Sequence, residues 1–416
     1  MPIDPRAATL LIAGVATACV ILRPVRVPEF VWALVGAALL VVCGLLPWRE
    51  ALAAAGKGAD VYCFLVGMML LSELGRREGL FDWLAGIAAR HAQGSGDRLF
   101  LWIYGAGTLV TVFMSNDATA VVLTPAVYAA TRQAGVKPLP YLFACALVAN
   151  AASFVLPISN PANLVVFGDQ LPALWPWLRR FLLPSVAAIV ATFLVLRWLF
   201  RAELAGPAEA PANPPTLSRT GRLAAAAVAV MAAVLLVASA RDLDLGLPAL
   251  VASLAAAGAI LLARREGPVA LLRGVSWGVL PLVAGLFVLV EGVQRSGLLE
   301  VVAQALKALA VQSPQVAVWV AGLFAAFGCN LFNNLPAGLA AGTIAQLADA
   351  SAPVRSAIAI GIDLGPNLSV TGSLATLLWL VAIRREGEDV GAWQFLRVGM
   401  VAMPVALLCA LAALAI

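Results

Sequence analysis

Two aspartates, Asp117 and Asp363, each follow a long apolar stretch, in Asn116-Asp117-Ala118 and Gly361-Ile362-Asp363-Leu364-Gly365-Pro366, with no Lys or Arg close in sequence to hold them ionised. A carboxyl group held away from water resists ionisation, so it can take up and release a proton as its surroundings change. Both are therefore candidate proton or cation carriers. Uncharged polar side chains gather in similar places, beside Pro and Gly: Ser115 and Asn116, Ser159, Asn160 and Asn163, Asn333 and Asn334, Asn367, Thr371 and Ser373. Where a helix breaks, amide and carbonyl groups lose their partners, and their dipoles can meet a polar solute. Asn and Ser add donors and acceptors of their own. Ser115, Asn116, Ser159, Asn160, Asn163, Asn333, Asn334, Thr371 and Ser373 thus form a candidate lining for a small, hydroxylated, neutral molecule. The competing explanation, that such residues only cap half-helices and join neighbouring helices, accounts for one residue more easily than for a matched set.

Other chemistry is thinly represented. The six cysteines lie scattered in apolar runs with no C-x-x-C pair, which indicates neither a disulfide framework nor a metal site. Cys329 precedes Asn330 and reads as packing, although a thiol there could meet a thiophilic solute. His91, the single histidine, falls in a polar stretch and reads as a solvated loop residue. Glu73 and Glu291 lie a helical turn from Arg76 or Arg77 and from Arg295, a spacing that suits interfacial ion pairing. There is no G-x-x-x-x-G-K-[ST] loop, so any use of ATP must come from a partner. Asp117 and Asp363 could also form the dyad of an intramembrane aspartyl protease, but the matched Asn-rich segments would then have no role.

The elements that must hold these groups are set by composition. With 62% hydrophobic and 12% charged residues and a mean hydropathy of +0.96, the 416-residue chain has too little polar surface to cover a soluble globule. Apolar runs long enough to cross a bilayer recur around Ala7–Leu22, Phe30–Leu46, Phe181–Phe200, Leu223–Ala240, Val279–Val290 and Val398–Ile416. Backbone polar groups cannot stay unpaired in lipid, and the alternation of a β-barrel is absent, so the spans are helices. The first run lacks a basic start and reads as a retained span rather than a signal peptide. The net charge of +5 sits in short loops between spans, where membrane orientation explains it and nucleic-acid binding does not.

The chain also repeats itself. Leu71–Leu80 resembles Leu289–Leu298, placing Glu73 opposite Glu291, 218 residues on, and at the same offset Ser115-Asn116-Asp117 falls on Asn333-Asn334-Leu335. At an offset of 213, Pro157–Asn163 falls on Val370–Thr376. Duplicated membrane halves with helix-breaking polar motifs at matching positions predict a secondary transporter whose site lies at the repeat interface. The predicted fold is an all-α membrane protein of two inverted repeats of five transmembrane helices, each with a re-entrant hairpin and a broken helix. The first repeat is 1–201, with its hairpin near 99–131 and its broken helix near 139–167. A cytoplasmic linker, 202–219, carries Gly206-Pro207 and Asn213-Pro214-Pro215, and the second repeat, 220–416, has its hairpin near 316–347 and its broken helix near 357–383. With re-entrant hairpins, 18 of the 27 Lys and Arg residues, Arg23, Arg26, Arg76, Arg132, Arg264 and Arg384 among them, fall inside and both termini outside.

At these clusters the sequence resembles the arsenite/antimonite efflux permeases (ArsB type) of the ion transporter superfamily. Asn116-Asp117 with Val121–Pro125 is similar to that family's Asn-Asp hairpin, and Asn330–Pro336 to its paired-Asn hairpin. Ile360–Pro366 with Gly372–Trp379 is the closest match. The resemblance implies export of trivalent arsenic or antimony as the neutral trihydroxide through the inner membrane, driven by proton antiport or by partnership with an ArsA-type ATPase, with no cofactor. Met114-Ser115 before Asn116, and Asn367 where many members carry Lys, depart from the pattern. The Ser159–Asn163 run is also similar to sodium-coupled anion and dicarboxylate carriers of the same superfamily, which implies the alternative substrate class.

Overall fold

The computed structural model describes residues 4–22, 27–209 and 216–416. Arg23, Arg26 and the Asn213-Pro214-Pro215 run lie outside the described residues. Secondary structure among the described residues is helical, apart from one isolated bridge between Ser95 and Pro207. The first half comprises α1 (Pro5–Leu22), α2 (Glu29–Val42), α3 (Trp48–Gly56), α4 (Ala59–Arg77), α5 (Leu80–His91), α6 (Gly96–Phe113), a π-helical turn (Ala118–Leu123) leading into α7 (Thr124–Gln133), α8 (Leu139–Ala151), α9 (Pro161–Phe167), α10 (Leu174–Leu199) and the short α11 (Arg201–Leu204). The second half follows the same order with α12 (Arg219–Ala240), α13 (Gly246–Arg264), α14 (Val269–Gly274), α15 (Val279–Arg295), α16 (Leu298–Gln312), α17 (Pro314–Phe332), α18 (Asn334–Leu347), α19 (Ala352–Leu364), α20 (Leu374–Arg385) and α21 (Ala392–Leu414).

Helices α10, α12, α13, α17 and α21 are each long and apolar enough to cross a membrane. The α3–α4 and α15–α16 pairs qualify only together, and they bend by 48° and 72°. The bend after α15 follows from Gly297, at φ 83°; its counterpart Gly79, at φ 71°, turns the chain after α4. Both adopt a left-handed conformation open to glycine at no steric cost, so α5 and α16 leave the line of the helix before them.

Helix exchange ties the halves together. Helix α13 packs on α4, and α2 packs on α15. At the α4–α13 crossing a side chain on Gly67 would meet the Ala249 carbonyl group, and at the α2–α15 crossing one on Gly285 would meet the Ala33 backbone. Gly67 and Gly285 are themselves 218 residues apart. Two membrane helices without a solvent-driven force between them associate through such close backbone approach. Ionic contacts show the inversion. Lys57, before α4, meets Glu291 near the end of α15 at 2.8 Å, whereas Glu78, after α4, meets Arg264 at the end of α13 at 2.7 Å. Counterpart helices α4 and α15 therefore run in opposite directions. Glu73 pairs with Arg76 as the spacing suggests (2.6 Å). Glu291 instead takes Lys57 from the other half, while Arg295 turns to Glu50.

The most deeply buried helices are the two that lead into breaks. Helix α8 is buried along its whole length from Pro140, and α19 from Ser356 onward. They are continued, after breaks, by α9 and α20. The breaks thus sit in the protein interior, where irregular backbone can find partners.

Candidate functional site

Each of the four breaks is closed by a polar side chain that accepts from an orphan backbone N–H. Ser115 Oγ accepts from Ala118 N–H (3.2 Å) at the first hairpin tip, and Asn333 Oδ1 from Leu335 N–H (3.5 Å) at the second. Asn160 Oδ1 accepts from Ala162 N–H (3.0 Å) at the start of α9, and Ser373 Oγ from Ala375 N–H (3.0 Å) at the start of α20. These are N-cap contacts, and they fall at the two sequence offsets, 218 and 213. Asn333 holds φ 69° and ψ 152°, a conformation most side chains avoid.

The caps do more than end helices. The Asn160 amide also donates to Asp363 Oδ1 at 2.6 Å, joining the broken helix of one half to that of the other. Asp363 is fully buried, and its second oxygen has no hydrogen-bond partner among the described residues. Position 363 is the counterpart, 213 residues on, of Asn150. Asn150 donates to Asn367 Oδ1 (2.9 Å), and the Asn367 amide donates back to Leu147 O (3.0 Å). The two broken helices are therefore stitched twice across the pseudo-twofold, once through a neutral pair and once through a carboxyl group.

Several predicted residues are engaged in holding the breaks. Ser159 Oγ donates to Val112 O at 3.0 Å, and the Asn163 amide donates to Ser153 O at 2.9 Å. Thr371 Oγ1 donates to Asn330 O (3.1 Å), while the Asn330 amide reaches Gly365 O (2.9 Å) and its oxygen accepts from Ser369 Oγ (2.7 Å). Asn116 and Asn334 are buried, and Asn116 Oδ1 accepts from the next amide, that of Asp117, at 2.9 Å. Sequence reading did not single out Asn150 or Ser369 and used Asn330 only as part of a motif. Asn150 and Asn330 are polar groups within apolar runs, a signal available from the chain alone, whereas Ser369 falls inside the polar Asn367–Ser373 stretch. Cys329 is buried and donates to Ala326 O (3.1 Å), and His91, exposed as expected, is the last residue of α5 rather than part of a loop, with its ring 4.9 Å from that of Trp102.

A vestibule of about 810 Å³ leads to the first hairpin tip. Its inner end is lined by Ser115, Asp117, Ala118 and Pro161, and its walls include Phe64, Met68 and Ser72 of α4. At its mouth stand exposed Arg76, Asp82, Arg273, Arg385 and Glu386. Of the two candidate carriers, Asp117, half-buried, lines this cavity, and Asp363 is sealed off. The counterparts of the inner lining at the repeat offsets are Leu282, Leu286, Asn333, Leu335, Pro336 and Leu374, and all six border a single crevice of about 10 Å³. One of two equivalent cavities is open, and the other is shut. Asp117 and Asp363 are not paired with each other, and no group of three or more His, Cys, Asp or Glu able to hold a metal occurs among the described residues.

Residues 17–366 match the family described as citrate transporter, CitMHS. The chain is 31% identical over 374 residues to the arsenical pump membrane protein of Escherichia coli (strain K12), which spans 84% of this chain and 85% of that protein. It is 23% identical over 420 residues to a putative arsenical pump membrane protein of Bacillus subtilis (strain 168), spanning 94% and 95% of the two chains. Among solved structures, the YdaH transporter of Alcanivorax borkumensis, described as having an unusual topology, superposes over 99% of this chain and 97% of its own with a TM-score of 0.60 at 16% identity, a likeness of fold. These relatives are transporters, so the protease dyad is set aside. With a matched family profile over most of its length and two helix-exchanged halves around shared breaks, the chain belongs to the citrate-transporter family of multi-pass membrane transporters and, within it, to the arsenical-pump (ArsB-type) permeases.

Proposed function

We propose that this chain exports arsenite and antimonite, as the neutral trihydroxides, by proton antiport with alternating access across the inner membrane. The observation that carries the reading is the inequality of the two equivalent cavities: about 810 Å³ on the face rich in arginine and about 10 Å³ on the opposite face. Positive charge favours the cytoplasmic side, so the open vestibule faces the cytoplasm and both termini lie outside. A trihydroxide entering it meets the Ser115 hydroxyl, which already accepts from Ala118 N–H and keeps its own proton to donate. It also meets the Asp117 carboxyl group, which gives up its proton to cytoplasmic water and becomes an acceptor for the solute's hydroxyls. Moving the hairpins and broken helices against the α2–α15 and α4–α13 scaffold would close this vestibule and open its counterpart around Asn333 and Leu335. Asp363, sealed and half-satisfied, is the second candidate carrier.

Radiolabelled arsenite uptake into everted vesicles, driven by an imposed proton gradient without sodium, tests the reading. Accumulation above that of vesicles lacking the protein is the expected outcome. A second reading, sodium-coupled transport of a carboxylate, is favoured by one observation: Arg273 and Arg385 at the vestibule mouth have no carboxylate partner among the described residues. No arsenite uptake, together with sodium-dependent carboxylate uptake, would replace the first reading by the second.

A further inference from the structure

Away from the vestibule, a second cavity of about 400 Å³ lies where α10 leaves the membrane, bounded by Asp97 of α6, Leu194, Arg197 and Trp198 of α10, and Arg201 and Leu204 of α11. Helix α10 has 26 residues and is about 39 Å long, which exceeds a hydrocarbon core of about 30 Å, so its last turns reach the headgroup level. Positions 194, 197, 198 and 201 recur at helical spacing and form one stripe that changes from apolar to cationic along its length. Leu194 and Trp198 are 53% and 57% exposed, facing outward from the core. Above them the Arg201 guanidinium lies 5.6 Å from the centroid of the Trp198 ring and has no carboxylate partner among the described residues. Arg197 is fixed by a forked contact to Asp97, at 2.7 and 2.9 Å. The cavity thus holds two guanidinium groups and one carboxylate, and keeps one unmatched positive charge.

We infer that this cavity binds the phosphodiester headgroup of an anionic phospholipid, with an acyl chain along Leu194 and Trp198 and the phosphate on Arg201. A planar guanidinium suits phosphate, an indole at the interface suits the glycerol level, and basic pockets beside membrane helices recognise anionic headgroups. The single unmatched charge favours a headgroup of net charge −1 over a zwitterionic one. The site also has a structural consequence. Residues just beyond α11 pair with the hairpin's own loops, through Gly96 N–H to Gly206 O at 3.1 Å and Glu209 N–H to Ala134 O at 2.9 Å. A lipid bound here would brace the junction between α10 and the ends of the first hairpin.

The experiment uses the full chain purified in detergent and follows the thermal unfolding midpoint while phosphatidylglycerol, phosphatidylcholine of the same acyl chains, or soluble glycerol phosphate is added. Phosphatidylglycerol is expected to raise the midpoint saturably and the other two to leave it unchanged. Arg201→Gln should need about fivefold more phosphatidylglycerol for the same rise, the loss of one interfacial cation, with its lipid-free midpoint unaltered because the side chain is exposed. Trp198→Leu should weaken the response while keeping the charge. An equal response to phosphatidylcholine, or an undiminished response in Arg201→Gln, overturns the site. A response to glycerol phosphate equal to that of the lipid overturns the lipid assignment in favour of a soluble phosphate ester.

Discussion

Asp363 carries the sharpest residue-scale consequence. Its only hydrogen-bond partner among the described residues is the Asn160 amide, and its second oxygen is buried and unpaired. A group so placed is costly unless it is protonated or binds an ion. Asp363→Asn keeps the shape and removes the exchangeable proton, so the protein should fold and still catalyse arsenite exchange at equal pH, while gradient-driven accumulation falls to passive equilibration. Counterflow and gradient-driven uptake in the same vesicles separate these behaviours, and undiminished accumulation would remove Asp363 from the coupling. Asn160→Ala deletes both the contact to Asp363 and the cap on α9. It should cost about 2–4 kcal/mol, combining a hydrogen bond to a carboxyl group with a lost cap, and should appear as a lowered unfolding midpoint. A midpoint equal to that of the parent would mean that the interior relaxes around the loss. The sequence marked Asn160 and Asp363 separately as polar groups at membrane depth. That one donates to the other is a contact between residues 203 positions apart, and no local pattern encodes it.

At the scale of elements, the breaks are written in Pro, Gly, Asn and Ser, because these residues start or stop helices by their own geometry. The crossings are less visible. Gly67 and Gly285 look like ordinary glycines in apolar runs until α13 and α2 are laid over them. A methyl group on Gly67 would come 2.6 Å from the Ala249 carbonyl carbon, and one on Gly285 would come 2.9 Å from the Ala33 backbone. Gly67→Ala and Gly285→Ala should each destabilise by about 1–3 kcal/mol, the usual cost of overpacking. Gly105→Ala, in α6 with open space around it, should be neutral or slightly stabilising. Three unfolding midpoints in one detergent decide this; if Gly105→Ala were as harmful as the other two, the cost would come from helix geometry rather than from the crossings.

For the whole molecule, the prediction concerns which cavity water reaches. In a cysteine-free background, Ser72→Cys and Ser276→Cys on the open vestibule should react quickly with a membrane-impermeant thiol reagent supplied from the arginine-rich face. Leu282→Cys and Leu335→Cys, at the closed counterpart, should stay protected from either face. Conditions that favour the opposite state should exchange the two patterns. Leu282→Cys reacting freely alongside Ser72→Cys would mean a continuous pore and would end the alternating-access reading.

By itself the sequence determined the membrane setting, the all-helical content, the duplication and the places where helices break. Each of these rests on short-range physics: hydropathy over a span, backbone geometry at Pro, Gly and Asn, and self-similarity at a constant offset. It also marked Asp117 and Asp363 as groups in need of a reason. Only the tertiary structure decided that the carboxyl groups have different environments, Asp117 at the end of a vestibule and Asp363 sealed against Asn160. It alone decided that Asn150 and Asn367 form a second, neutral link between the two broken helices, and that one of two equivalent cavities is open. Two halves of similar sequence make similar local structures. Which cavity stays open depends on how the finished halves pack against each other, a balance of many contacts spread over residues hundreds of positions apart.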